Sequence, residues 1–243
     1  MKLFISGYGK MGKMIEKIIL SRNIGYAGWT EAVTETDPAL ARECVCIDFT
    51  TPDAFRANYK FLAENFKAVV VGTTGWADIK DEVTAYFERC GTPMIWATNF
   101  SVGVNVFFAV TDYVSRLLAE FGGYSPYMVE MHHCHKLDAP SGTALMIADG
   151  IKSVREESEY VYDRTKERKK REKKEIGIHA VRAGSIVGEH EVIFGGRNEN
   201  ITLHHSALSR EVFADGALKA ASFLKGKGAG MYNMSDMLSE ILK

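Results

Sequence analysis

The residues best suited to chemistry lie together at positions 132–136, where three histidines and a lysine share five positions. Imidazole and ammonium groups transfer protons and neutralise anions near neutral pH. The next segment predicts a helix N-terminus, because Ser141 is a good N-cap and Gly142 and Thr143 would form the first turn. Such a terminus binds carboxylates or phosphates. The pattern therefore predicts acid–base chemistry on a small acidic substrate.

A glycine motif near the N-terminus predicts a dinucleotide site. Residues 2–6 form a short apolar run, and residues 7–12 read Gly-x-Gly-x-x-Gly before a helical pattern. In this context the glycines permit a tight turn and close approach of a pyrophosphate. Residues 25–29 predict the second strand, which places Glu31 where ribose hydroxyls are bound. The alternative is a glycine-rich turn that binds no nucleotide.

The elements around this motif predict a parallel, doubly wound sheet of Rossmann type. Buried-strand runs alternate with helical patterns, and the further strands are predicted at 44–49, 68–71 and 94–97. Ligands bind beyond the carboxyl ends of strands in such sheets. We therefore expect residues 7–12, 72–74 and 97–100 to line one crevice.

The pattern changes after residue 102 and predicts a second α+β domain. A long helix reaches residues 122–123, a strand at 127–131 leads into the histidine cluster, and a helix covers 143–154. Three β-like runs predict a mixed or antiparallel sheet, at 176–181, 186–194 and 200–206. Two helices are predicted at 212–224 and 231–242. The predicted domains are 1–102, completed by 211–243, and 103–210.

Composition narrows the class of protein. Lysine and arginine total 30 against 31 acidic residues, and the net charge of −1 argues against nucleic-acid binding. No apolar run approaches the roughly 20 residues that span a bilayer, so we expect no membrane partner. Four cysteines without zinc-finger or disulfide spacing indicate a reduced, cytoplasmic protein.

A charged segment at 164–175 stands apart from the rest of the chain. Eight of its twelve residues are lysine or arginine and three are glutamate. We interpret it as a solvated loop. The alternative is a basic flap that helps to draw in a dianionic substrate.

Together these motifs identify a family resemblance. The chain resembles 4-hydroxy-tetrahydrodipicolinate reductases (dihydrodipicolinate reductases) over nearly its whole length, most specifically at 99–105 and 132–143. The resemblance implies a homotetrameric enzyme of lysine and diaminopimelate biosynthesis. It implies a nicotinamide-binding first domain and a second domain for substrate binding and tetramerisation.

The resemblance also implies roles for individual residues. His132 matches the catalytic acid/base and Lys136 the catalytic proton donor, while His133, Gly142 and Thr143 match contacts to a small dicarboxylate substrate. The matches to dinucleotide contacts are Gly7, Tyr8, Gly9, Lys10, Met11, Gly12, Glu31, Gly72, Thr73, Thr74, Ala97, Thr98, Asn99 and Phe100. Which of His132 and Lys136 gives the proton stays open.

The chain departs from the family in the region that selects the cofactor. The glycine turn is one residue shorter than usual, residues 32–43 are contracted, and Ala32 stands where some members carry an arginine for the NADP 2′-phosphate. NADH or NADPH is expected, with NADH favoured. The substrate is expected across an interdomain cleft.

Two other interpretations belong to different classes of protein. Residues 132–135 offer four metal-ligand side chains, but neighbours on a strand point to opposite faces, so we expect no metal. A non-catalytic dinucleotide-binding sensor would keep the glycine turn, yet it has no use for the 132–136 cluster.

Overall fold

The computed structural model describes residues 1–155, 157–162 and 169–241. The chain divides into two compact units: unit 1 is Met1–Val102 with Glu211–Lys243, and unit 2 is Gly103–Arg210. Residues 164–168 of the predicted basic loop lie outside the described residues.

The described residues form eleven strands and eight α-helices. The strands are β1 (Lys2–Ser6), β2 (Tyr26–Thr30), β3 (Cys44–Asp48), β4 (Ala68–Val71), β5 (Pro93–Trp96), β6 (Ser125–His132), β7 (Glu159–Val161), β8 (Glu175–Arg182), β9 (Gly188–Gly195), β10 (Asn200–Ala207) and β11 (Gly230–Tyr232). The helices are α1 (Lys10–Ser21), α2 (Pro38–Ala41), α3 (Pro52–Asn65), α4 (Lys80–Cys90), α5 (Val102–Phe121), α6 (Gly142–Ser153), α7 (Glu211–Phe223) and α8 (Met234–Ile241).

Unit 1 contains a six-stranded parallel sheet in the order β11-β5-β4-β3-β1-β2. Side chains alternate along its buried strands, so one face packs on α1 and α7 and the other on α3 and α4. Ile5 and Ile47 belong to the first core, whereas Cys46 and Phe55 belong to the second. The predicted doubly wound parallel sheet is confirmed.

The C-terminal segment differs from its prediction. Residues 231–242 were expected to form one helix, but Gly230–Tyr232 forms β11, which pairs with β5 in parallel, and the helix begins at Met234. A short apolar run is compatible with a strand or with a helix turn. Here the free edge of β5 decides, because it supplies hydrogen-bond partners that extend the sheet by one strand.

Unit 2 contains a five-stranded mixed sheet in the order β10-β9-β6-β8-β7. Strand β6 is parallel to β8 and antiparallel to β9. One face carries α5 and α6, with Phe107, Ile147 and Met128 in a common core. The predicted mixed sheet is confirmed, although β7 was not predicted because three residues carry too little pattern.

Helix α5 corrects the expectation drawn from apolar runs. By length and composition alone it could cross a membrane. It also carries an exposed ion pair between Arg116 and Asp112, and Phe107 and Leu118 pack into the core of unit 2. Polar residues interrupt its sequence, so inspection of uninterrupted apolar runs missed it.

Candidate active site

The glycine turn of unit 1 has the shape that a pyrophosphate requires. At Gly7, where φ is +89°, a Cβ would lie 2.4 Å from the backbone oxygen of Phe49, and at Gly12 a Cβ would lie 2.2 Å from the oxygen of Gly7. Gly9 is different, because a Cβ there would meet nothing within 4 Å. Gly9 is also the N-cap of α1 and makes no side-chain cap hydrogen bond. The turn therefore fits a dinucleotide, with Lys10 and Met11 in the first turn of α1.

The side chain of Tyr8 is held against the second strand. Its ring stacks on Trp29 with the centroids 3.8 Å apart, and its hydroxyl donates to Glu16. The first amide of the glycine turn donates to the oxygen of Thr30 at 2.9 Å. The exposed Glu31 directly follows, so the end of β2 lies beside the turn.

A buried carboxylate joins the strand ends of unit 1. Asp48 is fully buried at the end of β3 and accepts hydrogen bonds from Thr73 Oγ1 at 2.6 Å, Ser6 Oγ at 2.8 Å and Thr50 Oγ1 at 3.1 Å. Burial raises the pKa of the Asp48 carboxyl, and these hydrogen bonds offset only part of that increase. Asp48 thereby anchors the loop that contains Gly72, Thr73 and Thr74.

The loop after β5 is anchored by the C-terminal segment. Ala97 N donates to Val71 O at 3.3 Å, and the N–H of Ser101 donates to Asn99 Oδ1 at 2.9 Å. A Cβ on Gly216 of α7 would lie 1.7 Å from the oxygen of Phe100, so only glycine permits this contact. The loops after β1, β4 and β5, which contain the predicted dinucleotide residues, thus leave the same edge of the sheet.

In unit 2 the histidine cluster begins in the sheet itself. His132 is the last residue of β6 and is 9% exposed. Its Nδ1 lies 2.5 Å from Oε2 of Glu130. Gly188, on the neighbouring β9, faces the other side of the ring: a Cβ there would lie 3.1 Å from Nε2 of His132.

Glu130 is fully buried and accepts hydrogen bonds from three other residues. Arg182 donates to both of its oxygens, from Nη1 at 2.9 Å and from Nη2 at 2.7 Å, and the N–H of Ser141 donates at 3.1 Å. Burial alone raises the pKa of a carboxyl, but here the hydrogen bonds from His132 and Arg182 outweigh it and lower the pKa to about 2. Glu130 is therefore ionised throughout the neutral range.

Ser141 connects this carboxylate to the start of α6. Its Oγ accepts the N–H of Ala144 at 3.2 Å, so the predicted N-cap is confirmed, and Gly142 and Thr143 form the first turn. The same Oγ lies 3.2 Å from Nε2 of the buried His190. Burial lowers the pKa of His190 to about 4, with a smaller contribution from the charge of His132, so His190 is neutral near pH 7.

The remaining basic residues form the exposed part of the cluster. The ammonium of Lys136 lies 2.8 Å from the carboxylate of Asp138, and the start of α6 at Gly142 places a backbone N–H in the electrostatic surroundings of the same side chain. These contacts lower the pKa of Asp138, the bond from Lys136 most. Nε2 of His133 lies 3.3 Å from Arg210, and burial followed by the charge of Arg210 lowers the pKa of His133.

The structure thus unites the predicted residues His132, His133, Lys136 and Gly142 in unit 2, and it adds Arg182, His190 and Arg210. Glu130 pairs with Arg182, and Glu189 lies 3.8 Å from His204. Strand alternation was the available signal for Glu130, since residues 130 and 132 share a face. Arg182 carried no local signal, because only the β6–β8 register pairs it with His132. Among the described residues, no three His, Cys, Asp or Glu side chains are grouped as metal ligands.

Comparisons with known proteins identify the family of the chain. Family models described as "Dihydrodipicolinate reductase, N-terminus" and "Dihydrodipicolinate reductase, C-terminus" match residues 24–100 and 103–238. The 4-hydroxy-tetrahydrodipicolinate reductase of Clostridium novyi is 41% identical over 98% of each chain. That of Methanocaldococcus jannaschii is 37% identical over 96% of this chain and 85% of its own.

A solved structure supports the fold. Dipicolinate-bound dihydrodipicolinate reductase from Paenisporosarcina sp. TG-14 gives a TM-score of 0.70 at 24% identity, covering 96% of this chain and 97% of that chain. The family matches and the two relatives confirm the family predicted from the motifs. The chain belongs to the dihydrodipicolinate reductase family.

Proposed function

We propose that this chain reduces 4-hydroxy-tetrahydrodipicolinate to tetrahydrodipicolinate in diaminopimelate and lysine biosynthesis, with His132 and Lys136 as its proton-transfer groups. Membership of the family makes it an NAD(P)H-dependent oxidoreductase, as predicted. A non-catalytic dinucleotide sensor, the alternative interpretation, has no support. The observation that carries the assignment of residues is a side-chain carboxylate that lies beside Lys136 in unit 2.

That carboxylate belongs to Asp138. It lies 2.8 Å from the ammonium of Lys136, and the N–H of Gly142 makes a smaller contribution to lowering its pKa, so both groups already stabilise a carboxylate of the chain itself. A substrate carboxylate would take the same donors, displacing Asp138, with further contacts from Thr143 and His133. Arg210, beside His133, adds a positive charge for the second carboxylate. Unit 2 is therefore our proposed substrate-binding domain.

Unit 1 is our proposed dinucleotide-binding domain. The glycine turn would hold the pyrophosphate, Glu31 the ribose hydroxyls, and the loops at 72–74 and 97–100 the remainder of the dinucleotide. When bound, the nicotinamide supplies the hydride. The carboxylate of Glu31 followed by the uncharged Ala32 favours NADH over NADPH, because a 2′-phosphate would meet a negative charge without a compensating arginine.

The proton that completes the reduction comes from His132 or Lys136. His132 is buried, and its Nδ1 lies 2.5 Å from the carboxylate of Glu130. The side chain of Lys136 is 23% exposed and lies beside Asp138. General acid catalysis of this kind contributes about 100- to 10,000-fold to the rate.

We also propose a cytoplasmic homotetramer that assembles through unit 2. Apolar residues on one side of α5 are exposed in the single chain, among them Val106, Val110 and Tyr113, and β10 ends the sheet with an unpaired edge. Burial of such a face in a subunit interface is favourable. Native mass spectrometry would test this: a monomer at micromolar concentration contradicts it.

The test of the function is oxidation of NADH or NADPH with the substrate generated in situ. The wild type should turn over with both cofactors and have the higher kcat/KM with NADH. His132→Ala or Lys136→Ala should lower kcat by at least about 100-fold while dinucleotide affinity stays unchanged. His135→Ala is the matched control, because this exposed neighbour is outside the proposed site. Unchanged turnover in a variant would exclude that residue from the chemistry.

A further inference from the structure

We infer that Glu130 is a positioning residue that fixes the tautomer of His132, so that Nε2 is the nitrogen that exchanges a proton with the substrate. This inference rests on the proposed function, in which His132 acts on the substrate. It goes further by assigning the reacting atom and by naming the residue that selects it.

The first step is the direction of one hydrogen bond. Nδ1 of His132 and Oε2 of Glu130 are 2.5 Å apart, and both residues are buried. An ionised carboxylate only accepts hydrogen bonds, so Nδ1 must carry the hydrogen. The two hydrogen bonds from Arg182 keep the carboxylate ionised, consistent with its pKa of about 2. In neutral His132, Nε2 is then the basic nitrogen.

The second step is the surroundings of Nε2. Gly188 lies on the adjacent strand β9, and a Cβ there would lie 3.1 Å from Nε2 and 3.4 Å from Cδ2. Glycine at position 188 leaves this flank of the ring without a side chain from that position. His190 packs edge-on at 5.3 Å, but its own Nε2 is engaged with Ser141 and the ring is neutral near pH 7. His190 therefore does not compete for the proton.

The other oxygen of the Glu130 carboxylate, Oε1, connects His132 to the start of α6. Oε1 of Glu130 accepts the N–H of Ser141 at 3.1 Å and Nη2 of Arg182 at 2.7 Å. Ser141 caps α6, whose first turn is the proposed carboxylate site. One buried side chain therefore fixes both the proton-transferring ring and the helix that binds the substrate anion, which sets the distance between them.

A purely structural role would use only part of this arrangement. Arg182 and Ser141 suffice to satisfy a buried carboxylate and to hold α6. The contact with His132 is additional, and it predicts effects that loss of an anchor does not produce. Orienting partners of this kind typically contribute about 10- to 100-fold to activity.

The direct test is ¹⁵N NMR of the full-length wild type labelled at histidine, with His132 identified by the signals lost in His132→Gln. We expect the hydrogen of neutral His132 on Nδ1 and none on Nε2. The Nε2–H tautomer of neutral His132 would overturn the inference and leave the proposed function standing. This measurement needs no Glu130 variant, so it decides even if Glu130→Gln does not fold.

The kinetic test is a double-mutant cycle. Glu130→Gln should lower kcat about 10- to 100-fold and leave the KM for NADH within about threefold. In the His132→Gln background the same substitution should lower kcat by less than about threefold, because its effect acts through the missing ring. Equal losses in both backgrounds would overturn the inference. Unchanged kcat in His132→Gln alone would instead remove the proposed role of His132.

The matched control is Arg182→Lys, which disturbs the same carboxylate from its structural side. It keeps the positive charge and loses the two-pronged contact. We expect a lower unfolding midpoint with the tautomer of His132 unchanged. A switch of tautomer in this variant would show that Arg182, not Glu130, selects the nitrogen, and the inference would fall.

Discussion

Among the described residues, each unit has one carboxylate residue with 0% exposure, Asp48 in unit 1 and Glu130 in unit 2, and the two are held by opposite kinds of partner. Asp48 in unit 1 accepts hydrogen bonds from the neutral hydroxyls of Ser6, Thr50 and Thr73. Glu130 in unit 2 is held by a guanidinium, an imidazole and one backbone N–H. Burial raises the pKa of Asp48, whereas the charged partners lower that of Glu130 to about 2.

The difference follows from what each partner can do when a proton moves. A hydroxyl donates or accepts, so a ring of hydroxyls can satisfy a carboxylate or a neutral carboxyl. A guanidinium only donates, so Arg182 requires an acceptor at all times. The hydroxyls around Asp48 can therefore satisfy it with or without a proton, whereas Arg182 requires that Glu130 stay an acceptor.

The largest loss of unfolding free energy is expected when the cation beside Glu130 is removed. Arg182→Met leaves a buried carboxylate without its main partner, which typically costs about 3–5 kcal/mol of unfolding free energy. Urea unfolding followed by far-UV circular dichroism measures the loss. Tryptophan fluorescence gives a separate readout of unit 1, because Trp29, Trp76 and Trp96 all lie there.

Arg116→Met is the control for that substitution. Arg116 pairs with Asp112 on the exposed side of α5, with 61% of its side chain exposed. Such pairs contribute about 0.5 kcal/mol or less. Equal destabilisation by the two substitutions would contradict the contrast between buried and exposed partners.

The second effect concerns the unfolding free energy, which should depend on pH with opposite sign for Glu130 in unit 2 and Asp48 in unit 1. The pKa of Glu130 falls from 4.5 to about 2 on folding, so its contribution is complete above about pH 4.5 and disappears as the pH falls through 2. The contribution is on the order of 3 kcal/mol, because each tenfold change in proton affinity is about 1.4 kcal/mol. Unfolding free energies between pH 2 and 5 should show this slope in the wild type and lack it in Glu130→Gln.

Asp48 supplies the opposing case. Its pKa is raised in the folded chain, so its contribution is present below the unfolded value and is lost as the pH rises through the folded value. The wild type should lose unfolding free energy as the pH rises through the folded pKa of Asp48, and the Asp48→Asn variant should not show this loss. Slopes of the same sign at both positions would refute the comparison.

A third, smaller effect is expected when each acid is replaced by its amide. The hydroxyls around Asp48 can reorient to accept from the new amide, so Asp48→Asn should change the unfolding free energy by about 1 kcal/mol or less. Glu130→Gln places an N–H group against Arg182, which cannot accept, and should cost about 2 kcal/mol. Parallel denaturant titrations at pH 7 provide the comparison, and a larger cost at Asp48 would reverse it.

The smallest effect concerns a single hydroxyl. Ser6→Ala removes one of the three donors to Asp48 and should cost about 1 kcal/mol, since two donors remain. Ser21→Ala, which removes only a hydroxyl on the surface of α1, should stay within about 0.5 kcal/mol. A loss at Ser6 as large as that of Arg182→Met would mean that hydroxyl partners cannot substitute for one another.

Local sequence patterns were sufficient for β1–β5 of the sheet of unit 1 and for the composition of the chemical cluster, but not for β11. The glycine turn, the helix positions Phe55, Tyr59 and Leu62, and the cap at Ser141 are each encoded by residues close together in the chain. Hydrophobic periodicity and helix capping depend on residues close together in the chain, so they can be recognised from the sequence alone. The family resemblance draws on the same short motifs.

The tertiary structure alone decided which titratable groups form hydrogen bonds and ion pairs with one another. Arg182 reaches Glu130 from 52 residues away, and Asp48 meets Thr73 from 25 residues away. The register of β6 on β8 and of β3 on β4 sets these pairs, and a shift of one residue would turn the side chains to the opposite face. Sequence therefore determines which groups are present, whereas strand register determines which of them share a proton or a charge.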